Sequence, residues 1–138
     1  MTLLTQASVL IVDDDEFMQE IFHAMFTSLG AAEIHSATDG RQALRQLAQL
    51  PSMPDYLMCD IFMPHMDGFE FMEKLAEMNY PGQILLVTGV DSGMLKPAVL
   101  IAKSKGLHVL GHFNKPMSRD ELAIALAAGL KNSGTGSA

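Results

Sequence analysis

The chain contains no tryptophan, two tyrosines and one cysteine. A lone thiol cannot close an internal disulfide. Cys59 sits in the apolar run YLMCDIF, which marks it as a buried, inert side chain rather than a nucleophile. Basic residues are scarce too: nine Lys and Arg stand against 16 Asp and Glu, for a formal charge of −7, and they form no cluster. That balance argues against phosphate-backbone binding and favours a bound cation or a basic partner. Nothing approaches the ~20 consecutive apolar residues that a membrane-spanning helix needs. The start, MTLLTQASVL, lacks the basic segment and apolar run of a secretory signal, so the expected location is the cytoplasm.

What is present is the composition of an ordinary globular core, with 49% hydrophobic and 18% charged residues in 138. A chain of this size buries about two-thirds of its unfolded surface without a disulfide or structural metal. Residues 1–131 show no repeat and no internal linker, and read as one domain. Residues 132–138, NSGTGSA, are small and polar, and read as a flexible tail or linker stub.

Short apolar runs alternate with helical patterns. The runs fall at 8–12, 32–37, 55–60, 83–88 and 107–113, and several are continuously apolar, as in strands buried on both faces of a parallel sheet. Between them, Phe17, Met18, Ile21, Phe22, Met25, Phe26 and Leu29 form one broad helix face that ends at Gly30. A second helix starts at Asp39-Gly40 and stops at Pro51; a third starts at the capping sequence Asp67-Gly-Phe-Glu70 and stops at Pro81. A fourth, from about Ser92 to Lys105, must hold Pro97 in its first turn. The fifth opens with the capping box Ser118-Arg-Asp-Glu121 and continues through Leu122, Ile124, Ala125 and Leu126. Five strands alternating with five helices predict a doubly wound α/β fold.

In such a sheet, ligands collect at the carboxyl ends of the strands. The residues there are Asp13, Asp14 and Asp15 after VLIV, then Asp60, Thr88 and Lys115. Carboxylates about 4 Å apart repel by about 4 kcal/mol at an effective dielectric near 20, so the group requires neutralisation. An oxygen-only donor set suits a hard cation such as Mg²⁺. A carboxylate left partly free could attack a phosphoryl group whose oxygens the cation and the lysine neutralise.

The segments VLIVDDDEF, CDIFMPHMDGFEFM, LLVTG and FNKPMSRDEL, in this order and spacing, resemble the receiver domain of bacterial two-component response regulators over about residues 7–130. The resemblance implies a (βα)5, flavodoxin-like sheet of order 2-1-3-4-5. It implies that Asp60 takes a phosphoryl group from a histidine kinase or phosphotransfer protein. It implies Mg²⁺, or Mn²⁺, held by Asp13, Asp14, Asp60 and the backbone carbonyl of Phe62, with Thr88 and Lys115 on the phosphoryl oxygens and a cis Lys115–Pro116 bond. A receiver turns over no substrate; it relays its change through the helix 4/strand 5/helix 5 face to an output domain or partner, the face through which it could also form a homodimer.

Some positions depart from the family pattern. Its switch aromatic is His112 here, a titratable imidazole. Phe62 and Val90, two residues after Asp60 and Thr88, are both apolar and are expected to shield the acyl phosphate and lengthen its lifetime. The segment between Thr88 and Lys115 is a few residues longer than usual and resembles receivers that precede EAL-type cyclic-di-GMP phosphodiesterase domains. His108 and His112, four apart on a predicted strand, share a face but have no third ligand at zinc-like spacing. On helix 4, Met94, Leu95, Val99 and Leu100 form a candidate contact face. Two alternatives are a receiver-fold interaction module that is never phosphorylated and a haloacid-dehalogenase-like phosphatase. The latter fits Asp13 and Asp15 as its D-x-D but not the following Glu16 and Phe17.

Overall fold

The computed structural model describes residues 4–63, 66–89, 93, 95–115 and 117–136. Pro64, His65, Val90, Ser92, Met94 and Pro116 lie outside the described residues, and with them the Lys115–Pro116 bond. The elements run β1 (Ser8–Val12), α1 (Glu16–Ser28), β2 (Glu33–Ala37), α2 (Gly40–Gln49), β3 (Tyr56–Asp60), α3 (Gly68–Glu77), β4 (Gln83–Thr88), α4 (Leu95–Ser104), β5 (His108–Asn114) and α5 (Arg119–Gly136). All strand pairs are parallel, in the order β2-β1-β3-β4-β5, the expected doubly wound topology.

The continuously apolar runs occupy the middle of the sheet. Every residue of β3 is buried, as are all but the first of β1 and β4, whereas the edge strands β2 and β5 are mostly half-buried. One side of the sheet packs Ala43 and Leu47 of α2, Phe71 and Leu75 of α3, and Leu95, Ala98 and Ala102 of α4. The other packs Phe22 and Phe26 of α1 with Leu122 and Leu126 of α5.

Capping residues fix the helix starts. Asp15 accepts from the Phe17 amide, Asp39 from Gln42 and Asp67 from Glu70, while Ser118 and Glu121 exchange bonds of 3.1 and 3.3 Å. The helix ends are equally regular. Gly30 (φ 98°) donates to Thr27 and Ala31 to Phe26, a Schellman closure of α1, repeated with Gly106 after α4 and Asn79 after α3. Pro97 is the third residue of α4, where its missing N–H has no helical partner to lose. The start of α5 is tied to the end of α1 by the Arg119 guanidinium, which donates to Ser28 Oγ at 2.6 Å.

Three sequence expectations are corrected. Phe17 is not on the buried face of α1; it is 67% exposed. It precedes Phe26 by nine residues, about 180° around a helix of 3.6 residues per turn, so burying one exposes the other. Ile124, read as part of the apolar face of α5, is 70% exposed between buried Leu122 and Leu126. His108 and His112 do not share a face. A bulge sets Ile84 opposite Val109 but Leu85 opposite Gly111, leaving Leu110 as the extra residue. Val109 packs with the α4 side; Leu110 and Phe113 pack with the α5 side, and a Cβ on Gly111 would meet Ala125 and the Phe113 ring. The alternation therefore resets at the bulge and turns His112 to the α4 side, opposite His108.

Candidate functional site

Parallel pairing brings the strand ends to one edge. Val12 lies opposite Cys59, Asp60 opposite Val87 and Thr88 opposite Asn114, which places Asp13, Asp60, Thr88 and Lys115 side by side. Asp13 is 1% exposed, Asp60 5% and Thr88 0%, the buried polar residues among those described, while Asp14 is exposed. The Lys115 backbone amide donates to the Thr88 carbonyl at 2.8 Å, and this anchors the chain from which its side chain crosses the edge.

The Lys115 ammonium lies 2.6 Å from Asp13 Oδ2 and 2.7 Å from Asp60 Oδ2. The other oxygens of both acids are held by backbone: the Asp15 amide donates to Asp13 Oδ1 at 2.9 Å, and the Phe62 amide to Asp60 Oδ1 at 3.1 Å. Asp13 Oδ2 is buried, and the Lys115 ammonium at 2.6 Å is its partner. Burial pushes the Asp60 carboxyl above its ordinary range, against the opposing pull of Lys115 and the Phe62 amide. Burial would lower Lys115, but Asp13 and Asp60 together hold its pKa above the usual lysine value. Burial, reinforced by Asp60 and Asp13, drives the Cys59 thiol well up and keeps it a thiol, as its sequence context indicated.

The donor set fits a hard divalent cation. Oxygens of Asp13, Asp14 and Asp60 all lie within 4.8 Å of one another, an all-oxygen set in which Asp13 and Asp60 are buried. Asp15 faces away, its carboxylate spent on the Phe17 amide at 3.0 Å as the cap of α1. Phe62 is 43% exposed at the rim, next to Asp60. The loop after Asp60 is tightly closed: the Gly68 amide donates to the Ile61 carbonyl at 2.7 Å, and a Cβ on Gly68 would stand 2.7 Å from Ile61 Cα. His112 is exposed on β5, away from this cluster.

One residue at this edge escaped the sequence analysis. Gln19 donates through Nε2 to the Asp13 carbonyl at 2.7 Å and to the Ala37 carbonyl at 3.0 Å. Its signal was readable, because Gln19 falls three and seven residues before the buried Phe22 and Phe26, a polar side chain in an apolar stripe.

The sequence pattern of the response regulator receiver domain matches residues 9–127, and the chain belongs to that family. It is a CheY-like receiver domain of the two-component type, which removes the haloacid-dehalogenase-like alternative. It is 27% identical over 123 residues to the chemotaxis protein CheY of Treponema pallidum, covering 89% of this chain and 82% of that protein. It is 24% identical to the cyclic di-GMP phosphodiesterase RocR of Pseudomonas aeruginosa, covering 89% of this chain but 31% of RocR. Among solved structures, CheY in the CheX–CheY–BeF3–Mg²⁺ complex of Borrelia burgdorferi superposes with a TM-score of 0.78 at 25% identity, over 91% of this chain and 90% of that one. Other curated relatives are longer, and the chain spans 26% to 50% of their length.

Proposed function

We propose that Asp60 is the phosphoacceptor of this receiver and that a histidine kinase or a histidine phosphotransfer protein is the donor. The observation that carries the reading is the lysine ammonium held 2.7 Å from Asp60 and 2.6 Å from Asp13 beside an all-oxygen carboxylate cluster. An Asp60 carboxylate oxygen attacks the phosphorus of a phosphohistidine, the P–N bond breaks, and its electron pair stays on the departing imidazole. Lys115 and the Phe62 amide oppose the effect of burial on Asp60 and so favour its carboxylate, and Lys115 then faces the charge on the phosphoryl oxygens. Thr88, fully buried at the end of β4, is assigned to donate its hydroxyl to one of them. Mg²⁺, or Mn²⁺, is assigned to Asp13, Asp14, Asp60 and the Phe62 carbonyl, where it would neutralise the transferring phosphoryl group. The chemistry is confined to the receiver's own phosphorylation and dephosphorylation.

Phe62, and Val90 outside the described residues, are assigned to shield the acyl phosphate from water. His112 is assigned to the switch position, on the α4 side. Leu100 is 69% exposed on α4 and Ile124 70% on α5, which supports an output partner or a second copy on the α4/β5/α5 face. Leu95, by contrast, is buried and Val99 packs inward. Phe17 and Phe62, exposed and within four residues of Asp13 and Asp60 in the chain, support docking of the phosphodonor over the site. The likeness to RocR and the lengthened segment before Lys115 support an output linked to cyclic-di-GMP. Residues 1–131 are assigned to the receiver, and α5 runs on into the small, polar residues 132–138 as far as Gly136. Among the described residues no helix is long and apolar enough to cross a membrane; the cytoplasm is assigned as the location from the receiver family.

Intact-mass measurement after incubation with acetyl phosphate and Mg²⁺ tests the core of the reading. One phosphoryl adduct is expected on the wild type and none on Asp60→Asn. No adduct on the wild type would leave the unphosphorylated interaction module standing, and an adduct that persists in Asp60→Asn would move the acceptor elsewhere.

A further inference from the structure

Two carbonyl oxygens converge on one amide at the end of the first strand. Gln19 Nε2 lies 2.7 Å from the Asp13 oxygen and 3.0 Å from the Ala37 oxygen, and the Asp13 amide itself donates to Ala37 at 3.0 Å. The three bonds form a closed ring. The β1–β2 ladder ends in register at Val12 and Ala37, so this side chain extends the pairing one residue further, to Asp13. Its orientation is dictated by chemistry: with Oε1 in place of Nε2, three acceptors would meet with no donor between them. The Asp13 carbonyl belongs to the peptide that leads into Asp14, and the Asp13 carboxylate is fixed in turn by the Asp15 amide. Gln19 is thus bonded to the peptide that joins Asp13 to Asp14, and Asp15 is bonded to Asp13.

We infer that Gln19 is a positioning residue: by clamping the Asp13 and Ala37 carbonyls it holds Asp13 and Asp14 in the arrangement that receives a divalent cation. The inference rests on the metal assignment above for its consequence, but the clamp itself is a property of the metal-free chain. Ligand-orienting partners outside a metal's own coordination shell change affinity by about tenfold or more when removed. Gln19→Met keeps the length and packing and deletes the donor. Gln19→Lys restores donors without the acceptor.

The experiment uses the full chain and two readouts. Mn²⁺ affinity, by titration calorimetry, is expected to weaken about tenfold in Gln19→Met and to recover in Gln19→Lys. Amide hydrogen exchange at Asp15, measured without metal, is expected to accelerate in Gln19→Met, return to the wild-type rate in Gln19→Lys, and stay local to residues 13–15. Unchanged exchange at Asp15 in Gln19→Met overturns the inference, as does a loss that Gln19→Lys fails to repair or an acceleration spread over the whole of β1 and β2. If Gln19→Met does not fold, Gln19→Asn, too short to span both carbonyls, gives the same comparison. A wild type that binds no Mn²⁺ refutes the metal assignment instead, and the exchange result at Asp15 still decides the clamp.

Discussion

The two edges of the sheet treat buried polarity in opposite ways. At the amino edge, the Tyr80 hydroxyl donates to the Pro54 carbonyl at 2.8 Å, and the Ser8 amide donates to Asp55 at 2.9 Å while that carboxylate stays in solvent. Gly82 leaves the space that the Tyr80 ring needs. Neither contact there buries a charge. At the carboxyl edge, two carboxylates are buried against a single ammonium, 2.6 and 2.7 Å away. One edge is built for stability; the other holds repulsion in reserve for a reaction, a violation of local consistency of the kind expected at functional sites.

The largest expected effect comes from removing Lys115, the one cation shared by the two acids among the described residues. Lys115→Met leaves Asp13 and Asp60 buried and unpaired, and should cost about 3–5 kcal/mol in urea denaturation, with phosphorylation by acetyl phosphate lost. A variant as stable as the wild type would show that the acids need no lysine. Next is Gly82→Ala, whose new methyl would collide with the Tyr80 ring and the Pro54 carbonyl; a loss of about 1–3 kcal/mol is expected, with an unchanged phosphorylation rate below the melting range. Together the pair would separate the edges: one variant loses stability and chemistry, the other stability alone.

A third prediction uses pH. Lys115 has a folded pKa above its ordinary 10.5, so its contribution is complete below that value and is lost as pH rises through the folded pKa. Tyr56 and Tyr80, raised first by burial and then by Asp55, protect the neutral phenol and add an alkaline loss of their own at the other edge. Urea melts across the alkaline range should therefore show a steeper decline for the wild type than for Lys115→Met; parallel declines would assign all of it to the tyrosines. The smallest effect on stability is expected from Phe17→Ser. This side chain is 67% exposed, so stability should change by no more than about 0.5 kcal/mol, while transfer from a phosphodonor protein slows and modification by acetyl phosphate does not.

Most of the architecture was legible because the runs themselves encode it. Unbroken apolar stretches became the buried strands β1, β3 and β4, and Asp15, Asp39, Asp67 and Ser118 marked helix starts that the hydrogen bonds reproduce. Asp13, Asp14, Asp60, Thr88 and Lys115 were readable as strand-end residues, and the fold gathers them at one edge. Phe17 and Ile124 were misplaced because hydrophobicity alone does not set the width of a buried helix stripe; the angular position against the sheet does. The histidine pair failed for a different reason. A period of two holds only in a regular strand, and nothing in LHVLGHF announces the extra residue at Leu110. Gln19 was overlooked because its place in the apolar stripe marks it as unusual without saying what it binds, and its partners are backbone carbonyls.

The closure between Ile61 and Gly68 gives the loop after Asp60 an unusual mechanical character. Its contour runs through six intervening residues, yet its two ends are joined by a 2.7 Å hydrogen bond, with no room for a side chain between them. The first residue of α3 is thus a direct neighbour of the residue that follows Asp60. The residue after Asp60 and the amino end of α3 are joined through one hydrogen bond as well as through the chain.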